Sequence, residues 1–248
     1  MTQDITLKSK SKSRRVDFKT RIVWNEDHKL LKVNFPTNIH TNEALHEVQF
    51  GYVKRPNHMS RQYDADRFEV CNHKWTAITE AKRGFAILND CKYGVNVSDG
   101  SINLTLLKAP LVPDMTADKG THEFTYSFYL WNGDFSDSNV IREAYNLNSP
   151  VLSIEGDAGE MQIFNVDQKE IIIETVKLAE DRSGDIILRL YQSTGTRTEC
   201  NIKTSLTIDR VWETNMLEQI EREIEKNQNI FRLLFKPFEV KTVRIALR

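Results

Sequence analysis

Apolar and polar side chains alternate with a period of two along most of this chain. Between Val16 and Trp24, large apolar side chains share one face while charged side chains occupy the other. That period is typical of a β-strand with one buried face. The same pattern predicts strands at residues 31–35, 48–52, 102–106, 124–128, 171–173, 186–190, 200–208, 231–235 and 240–245. Many short strands separated by polar turns favour an all-β sandwich.

Helical spacing is confined to two segments. Residues 139–145 place apolar side chains on one helix face, and Asp137 and Ser138 before them can cap the first turn. Residues 217–224 carry three apolar side chains at helical spacing among glutamates, which predicts a second helix, with a long charged turn as the alternative. A domain boundary is predicted near residues 148–150, where the first helix ends and a turn-rich stretch follows.

Composition narrows the class of protein. The chain has 248 residues, 40% hydrophobic and 28% charged, and a formal net charge of -1. Such a balance disfavours nucleic acid and membrane surfaces as partners, because neither sign of charge dominates. No apolar stretch approaches the roughly 20 residues of a membrane span, and the N-terminal residues lack the apolar core of a secretory signal. We therefore expect a cytoplasmic protein.

A basic run at residues 8–15 has two interpretations. It could contact nucleic acid or an acidic surface. Alternatively, it is a solvated lead-in or an edge strand whose lysines discourage pairing with another strand.

The metal-binding residue types show no metal-site spacing. Cys71, Cys91 and Cys200 are an odd number without a C-x-x-C pair, which argues against disulfides and a thiolate zinc site and predicts small buried side chains. The histidines lack H-x-x-x-H spacing, so they are expected to be structural or surface residues. We predict no metal site in this chain.

The segment 85–94 joins an apolar run to a polar corner. Phe85-Ala86-Ile87-Leu88 has the character of a buried strand, and Asn89-Asp90-Cys91-Lys92-Tyr93-Gly94 has residues that tolerate turns. The corner therefore brings hydrogen-bonding and ionisable groups to the end of a β-strand, where a ligand can reach them.

A series of short motifs extends over nearly the whole chain. They are His28–Val33, Phe35–Pro36, Phe50–Tyr52, Arg55–His58, Arg67–Val70, His73–Trp75, Leu88–Gly94, Leu106–Pro110, Pro113–Asp114, Ala117–Gly120, His122–Tyr126, Glu174–Lys177, Ala179–Asp181, Leu188–Tyr191 and Lys236–Glu239. In order and spacing they resemble the C-terminal β region of glycoside hydrolase family 38, the α-mannosidases, in particular its cytosolic and bacterial branch. The sequence departs from that pattern after Pro56, and Tyr63 stands where relatives have a tryptophan.

The resemblance implies an all-β fold: a mutarotase-like super-sandwich over residues 1–150, incomplete at its N-terminus, then a smaller β-sandwich over residues 151–248. In the family, a catalytic barrel and a helical bundle precede this region. The barrel holds zinc or another divalent metal, the nucleophile and the acid/base group. The resemblance thus implies that this chain carries no catalytic residue, binds no metal and is inactive alone. Its partners would be the barrel and helical domains, α-mannosides bound by the full enzyme, and further copies of itself.

Loops of this β region complete the rim of the mannose site in the family. The resemblance therefore implies that eight polar residues are candidate rim residues: His58, Asn89, Asp90, Lys92, Tyr93, Asp114, Asp118 and Lys119. Two alternatives stay open. Asp90 and Lys92 could form an ion pair that locks the turn, and Lys119 could be a solvated loop lysine.

Four further points follow from the residues alone. A free-standing module that binds carbohydrate or protein would need exposed rings, for which Tyr63, Trp131 and Phe135 are candidates. A mutarotase-type reaction would need a histidine acid, such as His58 or His122. Retaining glycoside hydrolysis needs two carboxylates about 5 to 5.5 Å apart, and no carboxylate pair in the sequence is predicted to converge. His73 and Trp75 are expected to be packing residues.

Overall fold

The computed structural model describes residues 1–7, 13–156, 159 and 161–248, and most of its regular structure is antiparallel β-strand. The predicted all-β class is therefore confirmed. The chain divides into two compact units, Met1–Leu152 and Ser153–Arg248. Residues 8–12 of the basic run lie outside the described residues, so both interpretations of that run stay predictions.

The first unit holds two sheets and short helical segments. Its described strands are β1 (Thr2–Leu7), β2 (Arg15–Trp24), β3 (Lys29–Pro36), β4 (Glu43–Val48), β5 (Gly51–Pro56), β6 (Val70–Cys71), β7 (Trp75–Glu80), β8 (Arg83–Asn89), β9 (Gly94–Ser98), β10 (Ser101–Ala109) and β11 (Gly120–Asn132). Its helices are α1 (Gln62–Ala65) and α2 (Val140–Asn148), with a 3-10 turn at Phe135–Asp137.

The two sheets of the first unit face each other across one core. The larger sheet has the order β1-β2-β11-β8-β7-β4-β5, and the smaller has the order β3-β10-β9-β6. Ile22 and Ile87 from the larger sheet are buried in the same apolar cluster as Ile102 and Leu104 from the smaller one. The alternating sequence pattern is what allows each strand to contribute one face to this core.

Helix α2 covers the other face of the larger sheet. Val140 and Ala144 are fully buried there against Trp75 and Leu88. Arg15 in β2 anchors the helix, since its guanidinium donates to the backbone oxygen of Glu143 at 2.8 Å. The predicted helix at residues 139–145 is thus confirmed and extends to Asn148.

Gly84 and Trp131 form a close cross-strand pair in the larger sheet. They lie directly opposite each other in β8 and β11. A Cβ atom at position 84 would overlap the indole ring of Trp131. Glycine is therefore required at this point for the ring to lie across the neighbouring strand.

The second unit is a smaller pair of sheets. Its described strands are β12 (Phe164–Val166), β13 (Ile171–Leu178), β14 (Ile186–Gln192), β15 (Thr198–Thr204), β16 (Ile208–Thr214), β17 (Ile220–Glu223), β18 (Lys226–Asn227), β19 (Ile230–Phe235) and β20 (Val240–Leu247). One sheet has the order β12-β15-β19-β18 and the other β13-β14-β20-β16-β17. Leu188, Val243, Cys200 and Phe231 contribute to a core shared by both sheets.

Three predictions about individual segments are wrong. Residues 48–52 are not one strand, because they contain the two-residue turn between β4 and β5, in which Phe50 has a left-handed φ of 59°. The prediction failed because the apolar alternation continues in phase through this turn. Residues 200–208 belong to two strands, β15 and β16. Residues 217–224 form a turn followed by β17 rather than a helix, and Leu217 there is 79% exposed.

The cysteines are free thiols, and only one of them is buried. Cys200 lies in the core of the second unit as predicted. Cys71 and Cys91 are exposed, contrary to the prediction, because they lie where β6 ends and within the corner that follows β8.

Candidate functional site

Asn89 organises the corner at the end of β8 from within. The residue is fully buried, and its side-chain oxygen accepts from the Lys92 backbone N–H at 2.6 Å. Its side-chain nitrogen donates to the Asn72 side chain at 3.0 Å and to the His73 backbone oxygen at 2.9 Å. Helix α2 adds a further bond, from the Asn148 side chain to the Asn89 backbone oxygen at 2.9 Å. With these bonds Asn89 sets the corner's conformation, and contact with a ligand falls to its exposed neighbours.

Asp90 and Lys92 contact β11 rather than each other. The Asp90 carboxylate accepts from the Thr125 backbone N–H at 2.8 Å. The Lys92 ammonium lies over the ring of Phe124, 4.4 Å from its centre. In the part of the chain that the structure describes, the turn is therefore locked by backbone and ring contacts, and the predicted ion pair between these residues is not formed.

Tyr93 is the exposed ring of the corner. Its side chain is 55% exposed and meets the His73 ring edge to face, with the ring centres 5.6 Å apart. Its backbone oxygen accepts from the Asn72 backbone N–H at 2.9 Å, which fixes the position of the ring's base. Cys91 is poorly suited as a nucleophile, because desolvation and then Asp90 raise the pKa of its thiol to about 11.

The loop at residues 113–122 uses its carboxylates to fix its own backbone. Asp114 accepts from the backbone N–H and hydroxyl of Thr116 at 2.8 and 2.7 Å, and these bonds lower the pKa of its carboxyl group. Asp118 has a left-handed φ of 57° and accepts from the Lys108 backbone N–H at 2.7 Å. Lys119 pairs with Asp27 at 2.5 Å, with the lysine side chain 33% exposed.

Strand β11 connects the corner and this loop. The corner contacts β11 at Phe124 and Thr125, and the loop leads into β11 at Gly120. His122 lies between them and bonds the Asp118 backbone oxygen through Nε2 at 2.8 Å. Seven of the eight candidate rim residues therefore lie at one end of the larger sheet.

His58 lies at the opposite end of that sheet. It follows β5, and the register pairs Pro56 with Glu43 at the start of β4, whereas Asn89 adjoins Trp75 and the far end of β4. The described contact of its ring is with the Ser60 hydroxyl, 2.9 Å from Nδ1. The prediction that His58 joins the other rim residues does not fit this register, because the sequence does not reveal at which end each loop emerges.

The aromatic platform predicted for a binding module is not formed. Trp131 is only 4% exposed, and Phe135 packs against Trp75 in the core beneath α2. Tyr63 is 45% exposed, but the guanidinium groups of Arg61 and Arg67 lie 4.4 and 5.1 Å from its ring centre. Of the three candidate rings, Trp131 and Phe135 are therefore packing residues, because their neighbours in the sheet and in the segment before α2 cover them.

Two buried polar residues in β4, His46 and Glu47, are not revealed by the sequence patterns, and Glu47 contacts the residues that hold the corner. Glu47 is 5% exposed and accepts from the Lys74 backbone N–H at 2.7 Å and from its ammonium at 2.9 Å. Lys74 in turn accepts from the Asn89 backbone N–H through its own backbone oxygen. The adjacent His46 is 2% exposed and bonds the Thr76 hydroxyl at 3.1 Å. Burial, with a smaller effect of Arg55, lowers the pKa of His46 to about 3.

The signal that could have identified these residues is polarity within a strand. His46 and Glu47 interrupt the apolar run that includes Leu45, and a charged or titratable residue inside a buried strand needs a fixed partner. His73 and Trp75 were expected to be packing residues, and both have packing contacts. Trp75 is fully buried, and the His73 ring meets Tyr93 edge to face while the His73 backbone N–H donates to the Glu47 backbone oxygen.

No group of three or more histidine, cysteine, aspartate or glutamate side chains in the described residues could hold a metal ion. No described helix is long and apolar enough to cross a membrane.

The fold and the corner do not by themselves identify the class of protein. Two family models do identify the family. The Glycosyl hydrolases family 38 C-terminal domain matches residues 1–116, and the Glycosyl hydrolases family 38 C-terminal beta sandwich domain matches residues 170–243. The chain belongs to glycoside hydrolase family 38, as part of its C-terminal region.

Relatives from several organisms agree with this assignment. Alpha-mannosidase 2C1 of Mus musculus is 38% identical over 241 residues, which is 94% of this chain and 23% of the relative. Alpha-mannosidase G of Dictyostelium discoideum is 39% identical over 242 residues, covering 94% of this chain and 22% of the relative. The chain thus spans less than a quarter of the curated relatives' length. The crystal structure of an alpha-mannosidase from Enterococcus faecalis V583 has the same fold, with a TM-score of 0.78 at 20% identity over 94% of this chain and 27% of that one.

Proposed function

We propose that this chain acts as the non-catalytic C-terminal part of an α-mannosidase, a hydrolase that releases α-linked mannose. The observation that carries the proposal is identity of 38% to an alpha-mannosidase across 94% of the chain. In this role the chain supports the catalytic part and supplies a section of the rim around its mannoside site. We also propose the mutarotase-like assignment of residues 1–150, a cytoplasmic location and self-association of the full protein.

The chemistry belongs to the catalytic part in this proposal. The family implies zinc or another divalent metal, but the described residues contain no cluster that fits one. Asp114 and Asp118, the carboxylates of the candidate loop, accept from the backbone N–H groups of Thr116 and Lys108 and thereby hold the loop. We therefore derive no step of hydrolysis for this chain.

Tyr93 is the rim residue with the best access to a sugar in this proposal. A tyrosine ring offers an apolar face and a hydroxyl group, both of which suit a pyranose. The bonds of Asn89 and Asn72 hold the corner rigid, so little ordering is needed when a ligand binds. Lys119 is less available, because Asp27 holds its ammonium group.

The proposal can be tested by reconstitution. Mouse alpha-mannosidase 2C1 lacking the region matched by this chain would be assayed with an aryl α-mannoside, with and without this chain. We expect no turnover by the chain alone and increased turnover when the two parts are combined. Tyr93→Ala should raise KM in the combined sample, whereas Tyr63→Ala, which removes an exposed tyrosine away from the corner, should leave KM unchanged.

Two results would contradict this function. Turnover by the pure chain would show that it carries catalytic groups of its own. Failure of the chain to bind the truncated relative, with wild-type folding verified by circular dichroism, would leave no role as its C-terminal part. The alternative of a free-standing carbohydrate-binding module has less support, because Trp131 and Phe135 are packed in the core.

A further inference from the structure

The ring of Tyr93, which carries the sugar contact in the proposed function, has its aromatic neighbour in His73. The Tyr93 backbone is fixed, because the backbone N–H and the side-chain amide of Asn72 donate to its oxygen at 2.9 and 3.2 Å. The Tyr93 ring is 55% exposed, and the aromatic contact that the structure describes for it is with the His73 ring. The direction of the Tyr93 ring therefore depends on where the His73 ring lies.

The backbone of His73 is fixed from two sides, whereas its imidazole ring can still turn. The His73 N–H donates to the Glu47 backbone oxygen at 3.1 Å, and the His73 backbone oxygen accepts from the Asn89 side chain at 2.9 Å. The side chain is 29% exposed and is free to rotate about its own bonds. Two neighbours limit that rotation. One is the Tyr93 ring, and the other is the Glu47 carboxylate, whose Oε2 lies 4.0 Å from Nδ1.

Glu47 is the fixed member of this group. Its buried carboxylate accepts from the Lys74 backbone N–H through Oε2 at 2.7 Å and from the Lys74 ammonium through Oε1 at 2.9 Å. The same ammonium lies 4.8 Å from the ring centre of Tyr145 in α2, which holds the pair against the helix. A buried charge needs fixed partners of this kind, and they keep the carboxylate in one position.

The Glu47 carboxylate orients the His73 ring by its charge. A separation of 4.0 Å is too long for a hydrogen bond, but a buried carboxylate exerts a strong field over that distance because little water screens it. The field favours a proton on Nδ1 and the ring orientation in which Nδ1 faces Oε2. The imidazole ring therefore has one preferred orientation between a fixed anion and the exposed ring of Tyr93.

From this series of contacts we propose that Glu47 is a positioning residue of the candidate rim. Through His73 it sets the direction of the Tyr93 ring, and thereby the affinity of that ring for a mannoside. Binding sites depend in general on supporting residues that lock the side chains in contact with the ligand. The effect on sugar binding rests on the proposed function, whereas the effect on the Tyr93 ring rests on the described contacts alone.

Nuclear magnetic resonance of the chain alone measures the position of the ring. The tyrosine and histidine rings would be isotope-labelled, and the Tyr93 signal would be identified by its loss in Tyr93→Phe. We expect a nuclear Overhauser effect between the Tyr93 and His73 rings in the wild-type chain. In Glu47→Gln this effect should weaken and the Tyr93 signal should shift. Glutamine has the shape of glutamate and can still accept from the Lys74 N–H, so the variant removes only the charge.

A matched control and a second variant separate positioning from folding. Glu43 lies on the same face of β4 as Glu47, and its carboxylate pairs with Lys54 at 2.7 Å in an exposed position. Glu43→Gln therefore removes the same charge and should leave the Tyr93 signal unchanged. His73→Ala removes the intermediate ring without disturbing the Glu47–Lys74 pair, and it should shift the Tyr93 signal as well.

The sample reconstituted from this chain and truncated mouse alpha-mannosidase 2C1 measures the consequence for binding. Glu47→Gln and His73→Ala should each raise KM for the aryl α-mannoside on the order of threefold, as expected for one aromatic contact, and should leave kcat unchanged. Combined with Tyr93→Ala, which lacks the ring, neither variant should raise KM further. Such non-additivity is the property of residues that act through one another.

Two results would overturn the inference. The first is an Overhauser effect between Tyr93 and His73 that is as strong in Glu47→Gln as in the wild-type chain, with the folding of both verified by circular dichroism. The second is an additive rise of KM in the double variants, which would show that Glu47 and Tyr93 act independently. If Tyr93→Ala itself leaves KM unchanged, the proposed rim role fails, and the resonance measurement alone then decides whether Glu47 positions the ring.

Discussion

The corner at residues 89–94 and the loop at residues 113–122 flank the same strand but are held in place differently. The corner is built around Asn89, a fully buried amide that bonds three other groups through its side chain. The loop is built from exposed carboxylates that bond backbone N–H groups of the loop itself and of β10. One segment is fixed from the interior and the other from the solvent side.

This difference shows that the rigidity of a segment does not follow from its number of charged residues. The loop has more charged residues, yet water competes for each of its contacts, and exposed ion pairs contribute little. The corner has fewer charges, but its bonds are shielded from water and costly to leave unmade. A segment rich in Asp and Lys is therefore not necessarily the better candidate for a preformed binding site.

Removal of the buried amide should have the largest effect. Asn89→Ala leaves the Lys92 N–H and the His73 backbone oxygen without their partner and should lower the free energy of unfolding by about 3 kcal/mol. Urea unfolding followed by tryptophan fluorescence measures this change. Asn34→Ala is the control, since the Asn34–Asn103 bond is exposed, and it should cost less than about 1 kcal/mol. Equal losses in the two variants would contradict the claim that the buried bonds of the corner contribute more than exposed side-chain bonds do.

Acid should destabilise the larger sheet at the buried His46 before it affects the loop. The pKa of His46 is lowered from 6.5 to about 3, so below pH 6.5 the unfolded chain binds a proton that the folded chain does not. Stability should therefore fall between pH 6.5 and 3, at up to about 1.4 kcal/mol per pH unit. Asp114 has a lowered pKa, so its contribution is lost only when the pH falls below its usual value of 3.8.

Variants at two histidines check this assignment. Urea midpoints measured between pH 7 and 4.5 should decline less in His46→Gln than in the wild-type chain, because glutamine does not titrate. His58→Gln removes an exposed histidine and serves as the control. A slope unchanged by His46→Gln would show that another group causes the acid sensitivity.

The smallest effects should come from the two lysines of the candidate rim. Lys119→Met breaks the ion pair with Asp27 and should change the free energy of unfolding by less than about 0.5 kcal/mol. Lys92→Met removes a charge held over Phe124 and should cost about 0.5 to 1 kcal/mol. Thermal unfolding at low and high salt measures the loss of stability in each variant. A larger loss for Lys119→Met than for Lys92→Met would contradict the proposed ranking.

Local patterns predicted most strands because a half-buried strand shows its period directly. The segment from Val16 to Trp24 is β2 almost residue for residue, and residues 102–106 and 124–128 lie within β10 and β11. The turn at Phe50 and the strand β17 were mispredicted, since both depend on pairing with a neighbouring strand. Periodicity describes one segment at a time and carries no information on its partners.

The sequence could predict the candidate site only where its residues are consecutive in the chain. The corner after Leu88 could be recognised from a strand that ends in turn-forming residues. The sequence did not show that Asn89 points inward, that Lys92 contacts Phe124, or that His58 belongs to the other end of the sheet. Those properties depend on strand register and on the packing of α2, which connect residues far apart in the chain.

The contact between Gly84 and Trp131 has an evolutionary consequence. A methyl group at position 84 would occupy the volume of the indole ring, so Gly84 cannot be exchanged while Trp131 stays. The two positions are separated by more than forty residues in the sequence. A larger residue at position 84 should therefore appear in a lineage only after a smaller residue has replaced Trp131. The two substitutions thus have a required order, in which position 131 changes first.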